Sequence, residues 1–273
     1  IYGAWYDPAS RLWSPETRVI TPIETQRQLQ RYVRKVGNPV ASQAPDGRLW
    51  VFYVTVSVGG WAGSAINAIW SGDGGLSWSQ PRRLITSPFF NISTLVKGTP
   101  VYYSDGGIGL PVYHEFLGKF AELLLLDSHG AVRDKSRISH GKHSLQPVIL
   151  PRNEQQVLAL MRNAGPTPRL LLASQSDDGG SHWQGEYTQP VANPNSALSA
   201  MRLDNGDLLA VMNDLADGRH LLSLMYSSDE GANWLRLRLL EGRPELAGER
   251  QELDRYLPLL ADDFSASAGP RAA

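Results

Sequence analysis

Ser71-Gly72-Asp73-Gly74-Gly75-Leu76-Ser77-Trp78 is spoken again as Ser176-Asp177-Asp178-Gly179-Gly180-Ser181-His182-Trp183 and as Ser227-Ser228-Asp229-Glu230-Gly231-Ala232-Asn233-Trp234. The shared pattern is Ser-x-Asp-x-Gly-x-x-Trp, and each residue type has a local job. The Asp carboxylate accepts N–H groups of its own turn, and the Gly takes the positive φ of a tight hairpin. The Trp offers a large apolar face that pins the hairpin to what lies beneath. Three copies make a repeat. The second and third start 51 residues apart, and the first and second 105 apart, about twice that. A degenerate copy is expected midway, and Leu126-Asp127-Ser128-His129-Gly130 is there without the Trp. Trp5-Tyr6-Asp7-Pro8 through Trp13-Ser14 is an earlier imperfect copy. A period of about 50 residues, rich in short apolar runs and turn residues, implies radial blades of about four strands each.

The segments between the turns agree. Asn38-Pro39-Val40, then Asp46-Gly47, then Arg48 to Tyr53 reads as strand, turn, strand. The phrase recurs as Thr99-Pro100-Val101 with Leu110 to Glu115, as Leu145 to Val148 with Val157 to Arg162, and as Asn195-Ser196-Ala197 with Leu208 to Asn213. The apolar runs suit a sheet covered on both faces. In such a blade the Asp-containing hairpins share one end with the Asp-Gly turns. The start of strand one, the end of strand two and the start of strand three share the other. Asn38, Lys97, Glu115, Gln146, Arg162, Asn193, Asn195, Asn213 and Arg219 fall at that second end. Polar groups converging from several blades describe a polar ligand pocket.

The 273 residues carry 26 Lys and Arg against 27 Asp and Glu, so no net field recruits nucleic acid or an acidic membrane. The absence of Cys excludes disulfides and thiolate metal sites and leaves the redox compartment open. The apolar runs, Ala121 to Leu126 among them, are far too short to span a bilayer. Ile1 to Trp5 reads as mid-strand, which implies a chain that begins partway through a blade. Trp13-Ser14-Pro15 reads as a strand-four start, and Thr25 to Lys35 as a loop or short surface helix. Residues 1–240 are expected to form the propeller. Residues 241–273, charged and then small, polar and Pro/Gly-bearing, are expected to be an irregular segment and tail.

Three Asp-boxes at this period, with Arg162 ending a strand two and Arg219 opening a strand three, resemble the sialidase (neuraminidase) superfamily. The phrases Pro111-Val112-Tyr113-His114-Glu115, Leu145-Gln146-Pro147 and Asn193-Pro194-Asn195-Ser196 resemble its bacterial sialidase-like branch with BNR repeats. The resemblance implies an all-β, six-bladed β-propeller, incomplete here because the opening blade is partial and the last absent or abortive. It also implies hydrolysis of a terminal acidic sugar without a cofactor or metal, the sugar carboxylate being held by arginines. Arg162 resembles the family's second arginine and Arg219 its third; the first, and the acid/base Asp, belong to the opening blade. The family's Glu that activates a Tyr nucleophile sits where this chain has Gln146, and an amide takes no proton from Tyr. Glu115 is then the leading acid/base candidate, and Tyr256 the one Tyr placed for the nucleophile. Asn38, Lys97, Gln146, Asn193, Asn195 and Asn213 are read as substrate-binding residues. The alternative is a carbohydrate-binding or scaffold propeller that has lost catalysis. His114, alternating with Glu115 along a strand, is read as packed and satisfied. His140 and His143 are placed at the rim, their spacing supporting no metal site. Trp61, Phe89 and Phe90 are read either as stacking on sugar rings or as covering blade edges.

Overall fold

The computed structural model describes residues 1–87, 91–116, 118–216 and 218–242. Phe89, Phe90 and Tyr256 lie outside them, as do the side chain of Trp61 and the expected C-terminal tail from 243. Within them the chain is all-β apart from one α-helix and a single 3-10 turn. It divides into two compact units: residues 1–118 with 122–135, and residues 119–121 with the chain from 136 onward.

The first unit opens with two small antiparallel pairs, β1 (Tyr2–Gly3) with β4 (Thr17–Arg18) and, nested inside, β2 (Tyr6–Asp7) with β3 (Leu12–Trp13). Trp13, expected to begin a fourth strand, instead closes this two-residue hairpin. Asp7 caps its turn, accepting Ala9 N–H at 3.0 Å and the Ser10 hydroxyl at 2.6 Å. Helix α1 (Pro22–Leu29) follows, beginning earlier than the sequence reading placed it. Its start is a reciprocal cap: the Thr21 hydroxyl accepts Glu24 N–H at 3.1 Å and donates to the Glu24 carboxylate at 2.9 Å, with Pro22 in the first turn. Gln30, left-handed at φ 51°, ends it.

The first four-stranded sheet runs β5 (Lys35–Gln43), β6 (Leu49–Val56), β7 (Ser64–Ser71), β8 (Arg82–Arg83) in chain order. β6 is almost wholly buried, as its unbroken apolar run requires, and Val51 and Tyr53 pack with Ile20 and Ile69. Asn38 and Pro39 bulge out of β5 between the pairs Gly37–Val54 and Val40–Phe52. A bulge absorbs a Pro that has no N–H for the ladder. The second sheet repeats the plan with its first strand broken into β9 (Thr94–Val96) and β10 (Val101–Tyr102), both on β11 (Ile108–His114), followed by β12 (Phe120–Leu126) and β13 (Val132–Arg137). Lys97 lies in the break. β11 ends at His114, so Glu115 stands one residue beyond it.

The second unit contains two further four-stranded sheets. One runs β14 (Ser144–Pro151), β15 (Val157–Asn163), β16 (Leu170–Ser176), β17 (Tyr187–Ala192). The other runs β18 (Ser199–Arg202), β19 (Leu208–Met212), β20 (Leu222–Ser227), β21 (Leu235–Glu241). The fourth sheet's first strand thus starts at Ser199, and Asn195 to Ala197 form its lead-in rather than the expected strand. Leu160, Leu171, Ala173, Leu208 and Met212, all fully buried, join these two sheets in one core. Each buried Leu contributes roughly 1.5–3 kcal/mol over an exposed one. Gln146 and Pro147 bulge from β14, as Asn38 and Pro39 do from β5.

Candidate functional site

The three Asp-box hairpins superimpose in their bonding. Ser71, Ser176 and Ser227 donate to their Asp at 2.7, 2.9 and 2.9 Å and accept the Gly N–H four residues on at 2.8, 2.9 and 2.9 Å. The residue before the Trp returns to the carboxylate through its N–H at 2.9, 2.8 and 2.8 Å. Its side chain, Ser77, His182 or Asn233, also reaches the second carboxylate oxygen. That seventh position is a polar requirement the eight-residue pattern already displays. The N–H and ring of His182 hold the Asp178 carboxyl at about 2, while the Ser71 and Ser77 hydroxyls hold Asp73 well below the ordinary range. These carboxylates are spent on their own turns. Val157, at the start of β15, pairs with Ser176 of the box, and Arg162 stands five residues further along the same strand. At ~3.3 Å per residue the box is therefore ~17 Å from Arg162.

At that far end four of the anticipated residues of the second unit meet. Arg162, next to last in β15 and half-buried, donates Nε–H to Asn195 Oδ1 at 2.8 Å and Nη1–H to Gln146 Oε1 at 3.2 Å. Arg219 Nη2 donates to the backbone carbonyl of the same Asn195. Gln146 (φ 51°) and Asn195 (φ 58°) are both left-handed. This conformation is uncommon outside Gly and clusters at sites where the surroundings enforce it. For Gln146 the enforcement is the Pro147 bulge. For Asn195 it is the turn in which its N–H bonds the Asn193 carbonyl at 2.8 Å.

Asn193 and Asn213 support this arrangement instead of facing outward. Asn193, fully buried, accepts Asn163 N–H at 3.2 Å and donates to the Ser196 carbonyl at 3.1 Å. Asn213, its amide oriented so that Nδ2 is the donor, bonds the Leu221 and Arg219 carbonyls, each at 3.0 Å. It thereby shapes the loop that carries Arg219.

In the first unit Asn38 is half-buried with φ 49°, the bulge conformation of Gln146, while Lys97 and Glu115 are exposed. No hydrogen bond joins these three to one another among the described residues. The Ser93 hydroxyl accepts the Glu115 N–H at 3.4 Å and that of Phe116 at 3.0 Å, which fixes the backbone of the turn. Counting from the first residues of β11, β15 and β19, Tyr113 takes the repeat position that Arg162 and Asn213 take in their sheets, with Glu115 two residues beyond. His114 is satisfied as expected: its Nε2 lies 2.7 Å from the buried Glu122 carboxylate, whose other oxygen is 3.8 Å from Lys135 Nζ. Glu122 escaped the sequence reading, although a lone acid inside an apolar strand was the available signal. No cluster of residues able to hold a metal occurs among the described residues, and no helix there is long and apolar enough to cross a membrane.

The sequence matches the BNR repeat-like domain family over residues 1–263, and the chain belongs to that family. Among solved structures it is similar to a Hadza microbial sialidase, Hz136, with 16% identity and a TM-score of 0.68 over 87% of this chain and 52% of that one. It is similar to a protein of unknown function from Dyadobacter fermentans, with 17% identity and a TM-score of 0.65 over 84% and 69%. It is also similar to the intramolecular trans-sialidase of Ruminococcus gnavus, with 10% identity and a TM-score of 0.64 over 85% and 76%. The chain thus spans about half the length of the Hz136 chain. No curated protein matches the sequence. The fold is that of the sialidase-like BNR-repeat superfamily, and the four sheets are four blades of its β-propeller.

Proposed function

We propose that this chain acts on glycans as a sialidase-like protein, taking a terminal acidic sugar with Arg162 and Arg219 as its carboxylate clamp. The observation that carries the reading is the convergence of the two arginines, 57 residues apart in sequence, on Asn195. A planar guanidinium matches a carboxylate in shape and keeps its charge at every physiological pH. Glu115, exposed one residue past its strand, is assigned the acid/base role, and Asn38, Lys97 and Gln146 contacts to the sugar. Tyr256 remains the nucleophile candidate by sequence position. Residues 1–240 are proposed as part of a six-bladed propeller of the sialidase type. Carbohydrate, with no nucleic acid, is the proposed partner.

A second reading, binding without turnover, is favoured by Gln146. Its amide oxygen accepts from Arg162 at the position where the resemblance calls for a proton-accepting carboxylate. Hydrolysis of a fluorogenic sialoside separates the two. The enzymatic reading expects release above blank, lost in Arg162→Ala and Glu115→Gln. Saturable sialic acid binding without release leaves the lectin-like reading, and neither binding nor release overturns both.

A further inference from the structure

Asn195 gives its two carbonyl oxygens to two different arginines. The side-chain oxygen takes the Arg162 Nε–H, and the main-chain oxygen takes an Arg219 N–H. Both bonds depend on one backbone conformation, φ 58°, because turning this residue to negative φ swings side chain and carbonyl to different directions. That conformation is itself braced. The Asn195 N–H bonds the Asn193 carbonyl at 2.8 Å, and Asn193 is anchored through Asn163 N–H and the Ser196 carbonyl. Asn213 completes the frame from the other side by tying down the Arg219 carbonyl. A guanidinium on a long flexible stem loses side-chain entropy when a ligand fixes it; fixing it beforehand removes part of that cost from binding.

We infer that Asn195 is the positioning residue of the site, acting on an acidic ligand through the two arginines whose separation and aim it sets. The inference rests on the clamp reading above and makes a narrower claim. It treats Asn195 as the element that makes Arg162 and Arg219 one device, not as a further sugar contact. An amide suits this task because its oxygen accepts from a guanidinium without bringing a negative charge toward an anionic ligand.

The left-handed backbone allows a clean experiment. In Asn195→Gly the conformation is preserved without steric cost, so the bond to Arg219 survives and only the acceptor for Arg162 is deleted. In Asn195→Asp the acceptor is kept and a charge is added. The full chain, its Asn195→Gly, Asn195→Asp and Arg162→Ala variants are titrated with sialic acid and with its methyl ester, and thermal unfolding is followed alongside. Asn195→Gly should weaken binding of the acid about tenfold. It should leave the ester, which offers no charge to the guanidiniums, unchanged, so that discrimination between acid and ester falls. Asn195→Asp should bind the acid poorly near pH 7 and recover as the introduced carboxyl is protonated. Acid binding that persists in Asn195→Gly but is lost in Arg162→Ala overturns this inference and leaves the clamp standing. An equal loss for acid and ester in Asn195→Gly also overturns it, since that marks a sugar contact or a general distortion. Acid binding untouched by Arg162→Ala, or absent from the unmodified chain, overturns the clamp itself and this inference with it.

Discussion

At the Asp178 end of the third blade the bonds that shape the turn close over two to four residues; at the Arg162 end they reach across 16 and 33, and Arg219 reaches back 24. Both ends belong to the same strands, β15 and β16. One end is closed on itself, its carboxylate filled by its own turn and its Trp driven into the core. The other is held open by bulges and left-handed residues that aim side chains at one another from separate sheets of the unit. A repeat protein can hold every blade to the first kind of end and still vary the second, because no bond of the hairpin depends on what stands at the other.

If the two ends are separable, substitutions should sort by what they change. The largest effect on stability is expected from Trp183→Ala. The indole is 8% exposed and donates Nε1–H to the Gly180 carbonyl at 3.0 Å and the Ser136 hydroxyl at 3.2 Å. Its loss should cost about 3–5 kcal/mol by chemical denaturation. Arg162→Ala should do the reverse. It should lower affinity for sialic acid by ~10- to 100-fold, as expected for a charged hydrogen-bond donor, with a much smaller change in the unfolding midpoint. A large unfolding shift in Arg162→Ala with unaltered affinity would merge the two ends into one structural system.

Acid provides a gentler test. Because the native Asp178 carboxyl lies at about 2 against an ordinary 3.8, its contribution to stability is in place above about pH 4 and is lost as pH falls through 2. Asp178→Asn cannot titrate. The stability difference between the parent and this variant should therefore shrink between pH 5 and pH 2.5 in urea melts. A difference that stays constant would mean that the carboxylate's charge is irrelevant to the hairpin.

The same contrast governs what the residues disclosed before folding. The Asp-box hairpins were legible to the residue, since the bonds that Ser176, Asp178 and His182 make to shape the turn lie within one short segment. The first three strand-turn-strand phrases were legible because unbroken apolar runs and short turns such as Asp46-Gly47 are also local signals. Helix α1 was blurred although Thr21-Pro22-Ile23-Glu24 is a capping box, because the segment after it is polar and without period. At the site, Arg162 and Arg219 could be placed at one end of their blades by counting. That Asn195 would serve both could not, since it depends on a left-handed turn in the lead-in to β18, where the expected strand is missing. Asn193 and Asn213 looked like pocket residues for the same reason: an Asn facing backbone carbonyls and one facing solvent share a sequence.

The smallest effects concern one backbone position within the boxes. Gly179 adopts φ 71°, and a Cβ there would stand 2.8 Å from the Glu154 carbonyl oxygen. Gly179→Ala should therefore destabilise by roughly 1–2 kcal/mol, the cost of left-handed backbone for an L-residue. The third box has Glu230 at this position with φ 59°. It carries the strain alongside a bidentate pair with Arg202, both bonds at 2.7 Å. Glu230→Gly removes the strain and the pair together, and Arg202 keeps its bonds to the Pro151 and Gly206 carbonyls at 2.9 and 2.7 Å. The two changes should nearly cancel, leaving stability within about 1 kcal/mol of the parent in urea melts. A loss as large as that of Gly179→Ala would show that the ion pair outweighs the backbone term.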